Sequence, residues 1–169
     1  MIQTFTRQDL KEVLMDPKLP GVREPYFIIH GEDGQELIIV SPGKNGEEFN
    51  KTYGHFNFYP EVEIYHVAFG QGVLVLQRND EAGEAKEVRV TPLRPGTVAE
   101  VPSGYGQTIV NIGKAYLVVT DGFTKIRSHH DIEPVRQKHG FAYYLVDKKG
   151  EVGFEPNSNY RLHPQISMG

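Results

Sequence analysis

Apolar and polar residues alternate with a period of two over much of the chain, which is the pattern of β-strands with one buried face. The alternation is clearest in KEVRVT at 86–91. GVLVLQR at 72–78 contains an unbroken apolar run instead, which predicts a strand buried on both faces. The other predicted strands are YFIIH and ELIIVS around a GEDG turn at 26–41, FNKTYGHFNFY and EVEIYHVAF on either side of Pro60, VAEVP at 98–102, KAYLVVTDGF at 114–123, and the hairpin of FAYYLVD and EVGFEP at 141–156.

One segment has helical spacing. Residues 6–14 begin at Thr6, a favourable N-cap, and Asp9 follows three residues later, as in a capping box. The apolar residues of this segment then fall on one face, which predicts a short helix that packs on the outside of a sheet.

Three segments are predicted to lack strands. SPGKNGEE at 41–48 is expected to be a loop because it contains proline and two glycines. Residues 124–139 are polar and irregular, so we expect a surface excursion with a helical turn before Pro134. The last dozen residues are expected to form a docked or frayed tail.

Many short strands separated by glycine and proline turns indicate an all-β barrel or sandwich with a short N-terminal helix. With 169 residues, the chain is long enough for one domain with its own core. We therefore predict a single domain over 1–169, with a barrel core at about 26–123 and a C-terminal hairpin at 141–156.

Composition narrows the function classes. The 18 Lys and Arg and 22 Asp and Glu are interspersed, giving a formal charge of −4, so we expect no nucleic-acid partner. The chain has no cysteine, which excludes thiolate metal sites and cysteine nucleophiles. No run of 18 apolar residues occurs, so we expect no membrane association and a cytoplasmic location.

The candidate chemistry lies in TYGHFNFYPEVEIYHVAFG at 52–70. Strand alternation places Glu63 and Tyr65 on one face and Ile64 and His66 on the other. His55 and the residue two positions later, an asparagine, form a second polar row. From the residues alone, these rows fit either a solvent-exposed strand face or the inside of a pocket.

Fixed spacings around these residues match two motifs. Glu63 is followed after six residues by Gly70, and the later elements are Gly96, Pro102, Gly104, Gln107 and Asn111. This pattern resembles the two cupin motifs, His-x-His…Glu…Gly and Gly…Pro-x-Gly…His…Asn. It departs from them where Asn57 and Gln107 stand in place of histidine and in a somewhat long gap before the glutamate.

The blocks SPGKNGEEFNKTYGHFN, EVEIYHVAFGQGVLVLQ and PGTVAEVPSGYGQTIVNIG are similar to the cupin-type glucose-6-phosphate isomerases of archaea and some bacteria. Weaker similarity extends the resemblance over roughly residues 20–160. It implies an all-β cupin (double-stranded β-helix, or jelly-roll) barrel. It also implies a divalent metal (Mn, Fe, Ni or Zn in relatives), with His55, Asn57, Glu63 and Gln107 at the ligand positions. Because two imidazoles are replaced by neutral carboxamides, we expect weak metal binding.

The resemblance further implies interconversion of glucose 6-phosphate and fructose 6-phosphate. Glu63 is then the candidate base, with Tyr65 beside it, and burial is expected to raise the pKa of Glu63 if the metal is lost. Thr52, Gly54 and Tyr105 are expected to bind substrate. Ile38 stands where relatives carry a threonine, and Tyr53 stands where they carry a lysine. Both changes weaken the expected binding of the substrate phosphate.

Two other interpretations remain open: a non-catalytic cupin that binds a sugar or sugar phosphate, and an isomerase or epimerase of another sugar. His129, His130 and Asp131 are given no ligand role because they resemble ligands in composition only. The resemblance also implies a homodimer, since cupin barrels commonly cover sheet edges by exchanging N-terminal strands.

Overall fold

A computed structural model describes residues 1–58, 60–121 and 130–169. Its first six-stranded sheet has the strand order β1-β2-β3-β12-β7-β10. All neighbouring strands in it are antiparallel. The strands are β1 (Ile2–Phe5), β2 (Tyr26–His30), β3 (Glu36–Val40), β7 (Glu63–Phe69), β10 (Val98–Val101) and β12 (Leu117–Asp121).

The second sheet also has six strands, in the order β13-β6-β11-β8-β9-β16. They are β6 (His55–Asn57), β8 (Gly72–Asn79), β9 (Ala85–Leu93), β11 (Gly106–Asn111), β13 (His130–Asp131) and β16 (Ile166–Met168). A smaller sheet, β15-β14-β5-β4, contains β4 (Lys44–Asn45), β5 (Glu48–Phe49), β14 (Tyr143–Lys148) and β15 (Glu151–Pro156). Two packed sheets with few helices confirm the predicted all-β cupin class.

Strand β8 shows how the layers are held together. Its residues Leu74 and Leu76 belong to the core cluster between the two large sheets, together with Val40 and Val119 of the first sheet. The alternate residues of β8 belong to a second cluster with β14 of the small sheet. The prediction that 72–78 is buried on both faces is therefore confirmed, and the C-terminal hairpin provides the second cover.

The N-terminal helix is shorter than predicted. The capping box forms as expected, with the Thr6 backbone N–H donating to the Asp9 carboxylate at 2.7 Å. The α-helix α1 covers only Arg7–Leu10, and a 3₁₀ turn follows at Lys11–Val13. The predicted apolar face is nevertheless fully buried.

Three predictions about irregular segments need correction or refinement. Residues 41–48 are not simply a loop, because β4 and β5 pair with each other and β5 pairs with β14. The helical turn lies at Pro134 rather than before it, since α2 (Glu133–Gln137) holds the proline in its first turn, where its missing N–H costs nothing. The tail docks as β16, parallel to β9. None of the helices among the described residues is long and apolar enough to span a membrane.

Candidate active site

A cavity of about 580 Å³ is lined by residues from both large sheets. This volume is in the range of small-molecule sites. Six of its lining residues carry polar or backbone groups that bear on chemistry: Thr52, Gly54, His55, Tyr65, Gln107 and His130.

Strand β7 turns its polar face toward this cavity. Glu63 and Tyr65 are 2% and 1% exposed, whereas Ile64 and His66 point outward and are exposed. The apolar residues between the polar ones therefore face solvent, the reverse of a typical half-buried strand. A carboxylate buried this way requires polar partners.

Two imidazoles are the polar partners of the Glu63 carboxylate. Oε1 of Glu63 lies 3.2 Å from Nε2 of His130 and 3.4 Å from Nε2 of His55. The two rings stack, with centroids 3.7 Å apart and planes inclined by 16°. One donor atom from each of the three residues lies within 4.8 Å of the others, an arrangement that could hold a metal ion.

The second oxygen of Glu63 belongs to a different chain of hydrogen bonds. The Tyr65 hydroxyl donates to Glu63 Oε2 at 2.9 Å. Gln107 Nε2 donates to the Tyr65 hydroxyl at 2.5 Å and to His55 Nε2 at 2.9 Å. Gln107 therefore ties the tyrosine and one imidazole together and orients Glu63 so that its other oxygen faces the histidines.

The electrostatics of Glu63 correct one expectation. Burial acts to raise the pKa of Glu63, but the interactions with His130 and His55 outweigh it, and the net pKa is lowered. For His130 burial acts to lower the pKa, and its bond to Glu63 reverses this to a raised pKa. Burial lowers the pKa of His55. The expectation of a raised pKa for Glu63 is wrong because two imidazoles surround it.

The donor set was compared with the needs of a divalent metal. Two imidazole nitrogens and a carboxylate are a common set for Fe, Mn, Co or Zn. In addition, the buried Oε1 of Gln107 has no hydrogen-bond partner among the described residues. These groups fit a divalent metal.

Asn57 contributes to this group less directly. Its amide Nδ2 donates to the backbone carbonyl of Glu61 at 3.2 Å, and the residue is not part of the described cavity lining. Of the four predicted ligand positions, the structure thus brings His55 and Glu63 together with Gln107 beside them, and it turns the Asn57 amide toward a neighbouring turn.

Two of the predicted substrate-binding residues line the cavity. The Thr52 hydroxyl accepts a hydrogen bond from the backbone N–H of Ile109 at 3.1 Å and lies 3.1 Å from the Thr108 hydroxyl. Because Thr108 donates its own proton to the Thr52 carbonyl, Thr52 is the donor between the two hydroxyls. Gly54 has a φ of +89°, and a Cβ there would lie 2.5 Å from the ring of Phe141.

Tyr105 lies elsewhere. It is absent from the described cavity lining, and its hydroxyl donates to Glu87 Oε2 at 2.7 Å. Arg89 donates to the same hydroxyl at 2.5 Å and lies over the ring. The tyrosine therefore belongs to a cluster of charged residues with β9.

His130 is the residue that sequence reasoning missed. Strand β13 pairs with β6 in a register that sets His130 opposite Asn57, which brings the imidazole to Glu63. Asp131 accepts a hydrogen bond from the Glu133 N–H and leads into α2, while His129 lies outside the described residues. No spacing in the sequence indicates this pairing, which depends on a contact between distant segments.

Comparison with known proteins agrees with these features. The model of the family "Glucose-6-phosphate isomerase (GPI)" matches residues 31–162. A glucose-6-phosphate isomerase of Thermococcus kodakarensis is 32% identical over 147 residues, covering 84% of this chain and 74% of the relative. One from Pyrococcus horikoshii is 28% identical over 162 residues, covering 93% and 82%.

Among solved structures, a protein described as a predicted oxalate decarboxylase from Thermotoga maritima has a TM-score of 0.45 at 17% identity, covering 72% of this chain and 90% of its own. Similarity at that level carries no argument about chemistry. The family model matches most of the chain, and a glucose-6-phosphate isomerase is 32% identical to it. The chain therefore belongs to the glucose-6-phosphate isomerase family.

Proposed function

We propose that the protein is an aldose–ketose isomerase that interconverts glucose 6-phosphate and fructose 6-phosphate. The observation that carries this proposal is the buried Glu63 carboxylate, held between two imidazoles and a tyrosine hydroxyl beneath the lining of a cavity large enough for a sugar phosphate. Relatives of similar sequence are named glucose-6-phosphate isomerases, which supports the same reaction here.

The reaction moves a proton between C2 and C1 of the sugar through an enediol. Glu63 takes the proton from one carbon and returns it to the other, and its lowered pKa keeps it ionised at neutral pH. Tyr65 holds the carboxylate in position through its hydroxyl. His130 lines the cavity beside Glu63.

A divalent metal also belongs to this proposal, with His55 and Glu63 as ligands. When bound, it would polarise the sugar oxygens that gain or lose charge. Asn57 is not included among the ligands, because its neutral amide oxygen is a weaker donor for a transition metal than an imidazole nitrogen or a carboxylate. Gln107 is given the role of orienting Tyr65.

Thr52 and Gly54 are proposed to contact the substrate from the cavity wall. The Thr52 proton is committed to Thr108, so its hydroxyl serves as an acceptor for a sugar hydroxyl. Gly54 leaves its backbone accessible, because no side chain stands between it and the cavity. Tyr105 is left out because it lies with β9.

A coupled assay of fructose 6-phosphate formation tests the proposal. The full chain is assayed with and without added Mn²⁺, and sugar-phosphate binding is followed in parallel by thermal shift. Turnover in either condition is the expected result. Binding without turnover in both conditions would overturn the proposal in favour of a non-catalytic sugar-phosphate-binding cupin.

A second candidate is isomerisation of an unphosphorylated sugar. Three carboxylates, those of Asp9, Glu36 and Asp121, line the cavity, and the described lining contains no lysine or arginine. Neighbouring carboxylates repel a phosphate dianion. Assaying glucose, mannose and fructose beside their 6-phosphates distinguishes the two candidates, because a higher kcat/KM for a free sugar supports the second.

The proposal includes a homodimer. On the outer face of the first sheet, Val98 and Ile64 are 57% and 37% exposed, and His66 and Glu100 lie next to them in the β7–β10 register. A two-fold axis could set Glu100 opposite the partner's His66, so one face can serve both copies. Light scattering should give the mass of a dimer, and V98E should shift it toward the monomer.

The cytoplasmic location stays a prediction.

A further inference from the structure

Two of the four ligand positions implied by the family motifs hold carboxamides, yet three strong donors still lie within 4.8 Å of one another beside the cavity. We propose that His130 is the third metal ligand of this protein and that it completes, with His55 and Glu63, a site of two histidines and one carboxylate. A histidine from outside both motifs thus supplies what Asn57 and Gln107 do not.

The distances support one shared ion. Donors bound to one metal at about 2.1 Å are separated from each other by roughly 3.0–3.4 Å in octahedral or tetrahedral geometry. Oε1 of Glu63 lies 3.2 Å and 3.4 Å from the two imidazole nitrogens. Both separations from Glu63 are therefore those of ligands around a common centre, and the donor atoms of all three residues lie within 4.8 Å of one another.

The hydrogen bonds of His55 give a second, independent reason to place a metal ion between His55 and Glu63. Its Nε2 accepts a hydrogen bond from the Gln107 amide at 2.9 Å, so this nitrogen carries a lone pair and no proton. It cannot then donate to Glu63, and a lone pair faces a carboxylate oxygen across 3.4 Å. A cation between the two would turn this unfavourable contact into a pair of ligand bonds.

The backbone holds His130 in place for this role. Strand β13 pairs with β6, the strand that carries His55, and α2 follows at once with Val135 fully buried. The side chain of His130 is 27% exposed, compared with 3% for Glu63. An incoming ion can therefore meet His130 first and then the buried carboxylate.

Gln107 acts as a competitor in this arrangement. Its Nε2 occupies the lone pair of His55 that the metal requires, so metal binding must release that hydrogen bond. Removing the amide should consequently leave metal affinity unchanged or tighter. A ligand role for Gln107 would predict the opposite.

Metal binding without substrate tests the inference. Co²⁺ is titrated into the metal-free full chain, and the visible absorption bands and the heat of binding are recorded. We expect one ion per chain, at least a tenfold loss of affinity with changed bands in His130→Ala, and no change in His66→Ala, a matched histidine on the outward face of β7.

Asn57→Ala and Gln107→Ala should each stay within about threefold of the unchanged protein or bind more tightly. If His130→Ala proves unstable by circular dichroism, His130→Asn serves in its place. The inference is overturned if the unchanged chain binds no ion, if folded His130 variants bind as tightly as it does, or if either amide variant loses more affinity than they do. Because no sugar is present, failure of the isomerase assay does not affect these outcomes.

Discussion

Glu48 and Glu63 are both almost completely buried, and their partners differ. Glu48, 1% exposed, faces the Nζ of Lys51 at 2.7 Å and accepts the Met15 backbone N–H at 2.9 Å. Glu63, 2% exposed, faces two imidazoles and a tyrosine hydroxyl instead. Only the second lies beside a cavity.

The partners explain what each carboxylate can do. The Lys51 ammonium also donates to the Val13 carbonyl at 2.5 Å and lies 5.0 Å from the ring centre of Tyr144, so the Glu48 pair joins the N-terminal segment, β5 and β14. An ammonium group has no lone pair and cannot bind a metal. Imidazoles exchange protons and metals near neutral pH. One carboxylate thus stabilises the fold, and the other is available for chemistry.

The largest expected effect comes from Glu63→Gln. Loss of the proposed base should lower kcat by about 10²- to 10⁴-fold, because proton transfer at a positioned carboxylate contributes that much. Steady-state kinetics measures it. Glu61→Gln, an exposed neighbour, is the control and should keep full activity. An equal loss in both variants would contradict the role of Glu63.

Lys51→Met should have the next largest effect, on stability rather than on catalysis. It leaves Glu48 charged and buried without its cation, which lowers the free energy of unfolding by about 3–5 kcal/mol. Urea denaturation measures the loss. Lys44→Met, which breaks an exposed pair with Asp147, should change little, and kcat of folded Lys51→Met should stay near that of the unchanged protein.

Tyr65→Phe should have a smaller effect that falls on the chemistry. It removes the hydroxyl that donates to Glu63 and accepts from Gln107. A hydrogen bond to a charged group is worth about 1.5–3 kcal/mol, so kcat should fall about ten- to a hundredfold with little change in KM. A change confined to KM would show that Tyr65 binds substrate and does not position Glu63.

The smallest expected effect is a pH dependence in metal-free protein. The lowered pKa of Glu63 contributes stability that is lost as pH falls below its unfolded value of about 4.3. The raised pKa of His130 contributes stability that is lost as pH rises through its folded value, above about 6.5. The stability advantage of the unchanged protein over Glu63→Gln should therefore be greatest between these limits. An advantage that is independent of pH would contradict the Glu63–His130 pair.

Much of the fold follows from local patterns. Strand alternation and glycine or proline turns predict most strands of the three sheets, and the continuous apolar run at 72–78 predicts a doubly covered β8. Residues 41–48 escape this reasoning because β4 pairs only with the two-residue strand β5, and β5 is held by β14, about a hundred positions away in the chain.

The sequence likewise predicts only part of the candidate active site. Motif spacing singles out His55, Glu63 and Gln107, which the structure brings together, and Tyr65 follows from the parity of β7. The resemblance also implies Tyr105, whose side chain the structure places with Glu87 and Arg89 on β9.

What the sequence by itself determined is the all-β class, the succession of most strands along the chain and the residues of β7 that share a face. Only the tertiary structure decided that this face, with Glu63, points inward while Ile64 meets solvent, because the direction of burial depends on which layer covers a strand. The same holds for His130. Its proximity to Glu63 arises from the pairing of β13 with β6, a contact between segments some seventy residues apart that no local pattern encodes.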